Sequence, residues 1–413
     1  MSTVIPYRSH LAGLALGALA LPAAAQQSFT EDVASMVTDG KLGLNLRYRY
    51  EFVDQDGYDK NANASTLRTR LSFQSAALNG FSFLTEFDNV SYVGNDDFNS
   101  TTNGKTRYPV VADPKGTEVN QALLKYNWRE LTGSYGRQVI NLGIQRFIGS
   151  VAWRQNEQTF DGYRVQWGSD FGLALDYAYV YNVNRIFGPD DDGAQPDTWH
   201  GDNNFLRLDF TFLEQHTLTA FSYLLDIDDR SAWSPNLSVN NSTDTYGAEY
   251  NGKLGPVSAR IAYAWQADAG DSQLDYDADY YALEGKMPLL GIVAQIGYEV
   301  LGSDNGVGFK TPLATLHKFQ GWADQFLVTP ADGVEDLYVG ISGAAGPVNL
   351  QAVWHDFQAE QGSADYGSEI DLAATWPVDQ MLTLQLKYAY FDSDDSALYR
   401  DTQKAWLSVI FNI

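Results

Sequence analysis

Eighteen stretches of alternating polar and apolar residues predict an all-β chain, folded as a transmembrane antiparallel β-barrel. Three observations carry that expectation. The stretches run 10–13 residues, longer than most soluble strands and suited to a tilted bilayer crossing. The connections between them alternate short and long. Aromatics make up 14% of the 413 residues and charged residues only 19%. The rest of the composition removes other classes. There is no cysteine, so disulfide scaffolds, thiolate metal sites and cysteine nucleophiles drop out. A net charge of −25 speaks against binding a nucleic-acid backbone.

The N-terminus reads as an export leader. Arg8 gives a weak positive region. Leu11 to Leu21 form an apolar core too short to span a bilayer as a helix, and Ala23-Ala24-Ala25 is a small-residue cleavage site. Residues 1–25 are therefore expected as a signal peptide, 26–40 as a short periplasmic N-terminal segment and 41–413 as the barrel. Past residue 25 no apolar run is long enough for a transmembrane helix.

Segment 41–53 (KLGLNLRYRYEFV) sets the pattern. Leu42, Leu44, Leu46, Tyr48, Tyr50 and Phe52 share one face; Lys41, Asn45, Arg47, Arg49 and Glu51 share the other. A period of two is a strand, not a helix. Segments 65–77, 80–92, 119–129, 132–141 and 157–167 follow. Segment 172–183 aligns Leu173, Leu175, Tyr177, Tyr179 and Tyr181. Segment 204–214 sets Leu206, Leu208, Phe210 and Phe212 against Arg207, Asp209 and Thr211. Segments 217–228, 243–254, 257–267, 277–287 and 290–301 come next, then 334–343, 347–357, 366–376, 381–392 and 402–412. Sixteen strands is the nearest alternative, because 132–141 and 334–343 alternate least cleanly. Tight turns such as 78–79, 215–216 and 255–256 are expected at the periplasmic end. The long connections 93–118, 142–156, 184–203, 229–242 and 302–333 are expected as extracellular loops. The last segment is expected to close the barrel against 41–53. No blade-length repeat supports a propeller instead.

Apolar faces should meet lipid and polar faces a lumen too wide for side chains alone to fill. That places Arg47, Arg49 and Glu51 beside Arg68 and Arg70 on the neighbouring strand. Lys125, Arg137, Arg207, Arg260 and Lys387 are expected in the lumen too, with Asp209 among the interleaved acids. Arginines this close either pair with acids to brace the wall or bind passing anions. Acids concentrate in the loops. The rim should face lipopolysaccharide through bridging divalent cations, or favour cations. Asp54 to Asp59 lacks the spacing of a calcium-binding EF-hand loop. Loops 142–156 and 302–333 differ from the others. They mix aliphatic and aromatic residues with Arg146, Trp153, Arg154, His317, Lys318, Trp322 and Asp324. Exposed apolar loops of this size are a liability, so both are expected to fold inward and narrow the pore.

No nucleophile elbow, zinc-protease helix or phosphate loop is present, and no histidine sits at motif spacing from a nucleophile. Neither enzyme activity, nor a metal centre, nor a cofactor is expected. Residues 144–161 (IQRFIGSVAWRQNEQTFD) and 309–326 (FKTPLATLHKFQGWADQF) resemble segments of the alginate-export family of proteobacterial outer-membrane β-barrel porins. The resemblance extends over most of the chain past the leader. It implies an eighteen-stranded barrel whose lumen, lined by Arg and Lys, conducts a polyuronate. The lumen here is mixed, not strongly basic. The expected function is an outer-membrane channel for passive passage of small or polymeric hydrophilic solutes, anionic or carbohydrate and uronate-like. The alternatives are a general cation-preferring porin and a non-conducting structural or adhesin-like barrel. Membrane lipid, lipopolysaccharide and the solute are the expected partners.

Overall fold

The computed structural model describes residues 23–190, 195–228 and 238–413. Most of the expected leader lies outside these residues. Helix α1 (Ala23–Thr38) takes in the expected cleavage site and most of the segment after it. Its C-terminal end rests beside a tight turn, where the Ala76 amide donates to the Met36 carbonyl at 2.9 Å.

Twenty strands follow among the described residues. They are β1 (Lys41–Gln55), β2 (Ala62–Gln74), β3 (Phe81–Asp97), β4 (Gly116–Trp128), β5 (Leu131–Gln138), β6 (Thr159–Gly168) and β7 (Leu173–Asn184). Next come β8 (Thr198–Phe212), β9 (His216–Leu225), β10 (Thr243–Leu254), β11 (Val257–Asp268), β12 (Asp277–Leu289) and β13 (Ile292–Leu301). Then β14 (Ser303–Asp304) and β15 (Val307–Gly308) form a small separate ribbon. The chain ends with β16 (Val334–Ala345), β17 (Val348–Gln358), β18 (Asp365–Pro377), β19 (Leu382–Asp392) and β20 (Thr402–Asn412).

All strands but β14 and β15 form one 18-stranded sheet in which sequence neighbours pair antiparallel. β20 closes it on β1, in register from Asn45↔Asn412 to Gln55↔Thr402. β5 and β16 are both full members, which settles the count at eighteen and not sixteen. Strand β3 runs on to Asp97 and β8 starts at Thr198, so the sheet reaches further toward the long-loop end than the alternation alone showed.

Alternation sorts the two faces. On β11, Arg260, Ala262, Ala264 and Gln266 are buried inside, while Ile261 is 50% exposed outside with Tyr263 and Trp265. Leu283 on β12 is 57% exposed in the same way. Such apolar exposure is unfavourable in water and satisfied in lipid.

Candidate functional site

Strand pairing assembles the predicted cation patch. On β1, Arg47, Arg49 and Glu51 point inward; the register sets Arg47 opposite Arg68 and Asn45 opposite Arg70. The four arginines are held very differently. Arg70 is bound by carboxylates: Asp88 at 2.6 Å, Glu157 at 2.7 Å and Glu86 at 3.4 Å. Arg68 donates to Asn45 Oδ1 at 2.7 Å, and its Nε has no hydrogen-bond partner among the described residues. Arg47 donates to Gln155 Oε1 at 2.9 Å, to the Ala152 carbonyl at 2.8 Å and to the Arg154 carbonyl. Arg49 lies 3.9 Å from Asp113, with its guanidinium 4.0 Å over the Trp153 ring. Three of the four thus face neutral or distant acceptors.

The other expected lumen residues separate into braced and loosely held. Arg207 pairs with Asp209 on its own strand at 2.8 Å, and Arg260 with Glu249 on the adjacent strand at 2.7 Å. Lys125 has lumenal phase on β4 and is exposed close to the short-turn end. Arg137 corrects the expectation. The register pairs Tyr135 with Tyr163, and both are outward and exposed, so Arg137, two residues from Tyr135, is also on the outer face. It pairs there with Asp161 at 2.9 Å. The segment is too short and irregular for its phase to be read from sequence.

Two long connections enter the barrel. The β5–β6 loop (139–158) and the β13–β16 connection (302–333) join through a bridge between Ile148 and Leu313. The Gly149 amide donates to the Leu313 carbonyl at 2.8 Å. No side chain fits at Gly149, because a Cβ there would meet Thr315 of the other loop. Phe147 inserts among Phe221, Tyr223, Tyr280 and Phe309, with ring centroids 5.1–6.1 Å apart. Beside it Arg146 reaches Glu299 at 3.0 Å and Gln320 Oε1 at 3.1 Å. Lys318 stays exposed and donates to the Ile144 carbonyl at 3.0 Å.

A third inward connection was not expected. Between β3 and β4, Phe98, Val111 and Asp113 are fully buried, and Asp113 Oδ1 accepts from the Gln155 amide at 2.8 Å. The run Val110-Val111-Ala112 is its only sequence signal.

The loops meet the basic wall at one cluster. His317 stacks on Trp153 with centroids 4.2 Å apart. Its Nδ1 is 2.8 Å from Asp324 Oδ1, and Lys387 Nζ donates to its Nε2 at 2.8 Å. Together these require the neutral Nδ1–H tautomer. Lys387 sits over three indoles, 3.6 Å from Trp322, 4.0 Å from Trp153 and 5.3 Å from Trp406. Asp324 Oδ2 lies 2.7 Å from Lys404 and 3.4 Å from Arg154, which also reaches Glu51 at 3.3 Å. Burial alone would raise the Asp324 pKa; Lys404, His317 and Arg154 overcome it and hold the carboxyl well below its usual range. Lys404 shares the inward face of β20 with Trp406 and Ser408, a face that the alternation of the last strand makes visible in the sequence. Above the cluster opens a cavity of about 1230 Å³ lined by Arg154, His317, Asp324 and Lys404. Among the described residues no group of three His, Asp or Glu is placed to hold a metal ion.

A profile for alginate export matches residues 39–314, two thirds of the chain. The chain belongs to the alginate export family. No curated protein matches it in sequence. Solved structures match the fold. Acinetobacter baumannii OccAB4 superposes with a TM-score of 0.70 at 13% identity, covering 91% of this chain and 98% of that one. Pseudomonas aeruginosa OccK3 (OpdO) gives 0.68 at 11% identity, covering 93% and 98%. Pseudomonas aeruginosa OpdK, solved with vanillate, gives 0.66 at 13% identity, covering 92% and 99%. This member of the alginate export family is an outer-membrane β-barrel of porin-like channel architecture, with its apolar belt toward lipid.

Proposed function

We propose that the barrel passes small anionic solutes by diffusion, uronate-like carbohydrates among them, and catalyses no reaction. One observation carries the reading: Arg47 and Arg68 face each other across the β1–β2 pair inside the lumen, and neither has an ion-pair partner among the described residues. A carboxylate reaching them exchanges water for charge-assisted hydrogen bonds. Neutral neighbours such as Asn45 and Gln155 keep the site weak enough for release, as conduction requires. The vanillate bound to OpdK is a carboxylate, carried in a barrel of the same fold. A second reading also has an observation behind it. Glu299, Asp336, Glu369 and Asp371 face the lumen from β13, β16 and β18, under acidic outer loops suited to lipopolysaccharide and bridging divalent cations. If that acidic side governs, the pore prefers cations. Reversal potential in a salt gradient across a planar bilayer decides between them. Anion preference that falls severalfold in Arg47→Gln/Arg68→Gln supports the proposal. Cation preference unchanged by those substitutions overturns it, and absence of any conductance returns the non-conducting barrel.

A further inference from the structure

We propose that Asp324 is a tethered carboxylate latch. It fills an anion site built by Arg154, His317 and Lys404 at the floor of the outer vestibule, and a free carboxylate solute competes for that site and releases the loop. This rests on the anionic reading above and adds where the solute first binds and what it moves.

The site is assembled from three elements. Arg154 comes from the β5–β6 loop, His317 from the β13–β16 connection and Lys404 from β20. Both carboxylate oxygens of Asp324 are used. Oδ1 accepts from His317 at 2.8 Å, and Oδ2 accepts from Lys404 at 2.7 Å and from Arg154 at 3.4 Å. The Asp324 side chain is only 4% exposed, yet it and its three partners line the 1230 Å³ cavity that opens above them. The partners stand where a solute entering from the long-loop end arrives, and the seat is taken by a residue of the loop that blocks the way.

The loop around Asp324 is held, not relaxed. Asp324 has φ +60° and Gln320 +48°, left-handed values that L side chains rarely adopt. At Gly321, φ is +76° and a Cβ would collide with the Glu369 carboxylate. Backbone amides fix the same tip to β18: Ala323 donates to Glu369 at 2.7 Å and Trp322 to Asp371 at 3.1 Å. Strain of this kind persists only where the surroundings over-determine it. Removing the Asp324 contacts removes one of those determinants.

Exchange favours one class of solute. An incoming carboxylate offers the same two oxygens and the same charge. Arg154 and Lys404 then stay paired while Asp324 moves out to the wet vestibule. A neutral sugar cannot make this exchange, because it would leave Lys404 buried without a counter-charge and Arg154 with Glu51 alone.

The test uses the purified full-length protein in planar bilayers, at constant ionic strength and pH, with D-glucuronate as probe and glucose as control. Glucuronate is expected to raise the open fraction in a saturable way and glucose to leave it unchanged. Asp324→Asn should be open without glucuronate. It should also bind glucuronate at least tenfold more tightly by tryptophan fluorescence, because the internal competitor is gone, with Trp153 and Trp322 as reporters. Should that variant fail to insert, Lys404→Met removes the other half of the latch and must likewise raise the open fraction. Unchanged open fraction and unchanged glucuronate affinity in the variants overturn the latch, even where reversal potentials show anion preference. Cation preference overturns the parent reading instead, and the open fraction of Asp324→Asn still judges the latch.

Discussion

The two sides of the lumen hold their cations by different means. Around β2–β3 and β6–β11 the paired cations have a partner from the wall itself: Asp88 for Arg70, Asp176 for Arg164, Asp209 for Arg207 and Glu249 for Arg260, with Glu157 of the β5–β6 loop as a further carboxylate on Arg70. Around β19, β20 and β1 the partners come from the loops. Gln155 and Ala152 hold Arg47, Trp153 covers Arg49, His317 meets Lys387 and Asp324 meets Lys404. Wall pairs are set by strand register and stay made while the barrel exists. Loop pairs last only while the loops stay in. The first arrangement serves stability. The second couples the electrostatics of the pathway to the position of its constriction.

Removing a wall-held cation should therefore have the largest effect on stability. Arg70→Gln leaves Asp88, Glu86 and Glu157 buried together without their shared cation. Breaking a buried pair in this way costs about 3–5 kcal/mol. The urea midpoint for unfolding from lipid vesicles should fall accordingly, well beyond the change caused by Arg47→Gln. Equal losses in the two variants would erase the distinction between the sides.

Proton dependence should mark the loop-held side alone. His317 must be neutral to accept from Lys387, and its pKa lies well below 6.5 through burial first and the Lys387 ammonium second. Once the loop is out, an exposed histidine titrates near 6.5, so below that pH the released state binds more protons than the latched one. The latched state is then fully stable above about pH 7 and loses stability as pH falls below about 6.5. The groups facing His317 are Lys387 on β19, Lys404 on β20, Arg154 from the other loop and Asp324 from its own. Asp324 remains charged throughout this window, held low by Lys404, His317 and Arg154 against its burial. Open fraction in bilayers should rise from pH 7.5 to pH 5, and His317→Gln should flatten the curve. A wild-type curve that is flat, or that falls, would contradict the assignment.

The barrel was legible because lipid on one side and water on the other enforce a period of two over ten or more residues. Closure and the inward turn of two loops were legible from apolar content in places where an exposed loop would not carry it. What the loops touch was not. The seat of Asp324 joins residues 154, 317, 324 and 404, and no local pattern encodes such a meeting. The inward β3–β4 loop was missed because its apolar run is short and lies between Asp96 and Pro114 in a polar stretch. Arg137 was misplaced for a related reason. Strand β5 spans 8 residues with Gly133 and Gly136 inside it, so few side chains define its faces.

Arg137 also supplies the smallest expected effect and the cleanest control. Arg137→Gln removes the same charge as Arg47→Gln, but from the outer face. The guanidinium is 30% exposed and grips Asp161 at 2.9 and 3.1 Å; Asn182 and Asn184 also donate to that carboxylate. Those amides keep Asp161 hydrogen-bonded when the cation is lost, so the cost should be well below that of Arg70→Gln. The barrel wall stands between this outer site and the lumen field, so reversal potential should not move. A shift as large as that of Arg47→Gln would place Arg137 inside and reverse the facing of β5. A lower urea midpoint without any shift in selectivity would keep it outside, as a local tie between β5 and β6.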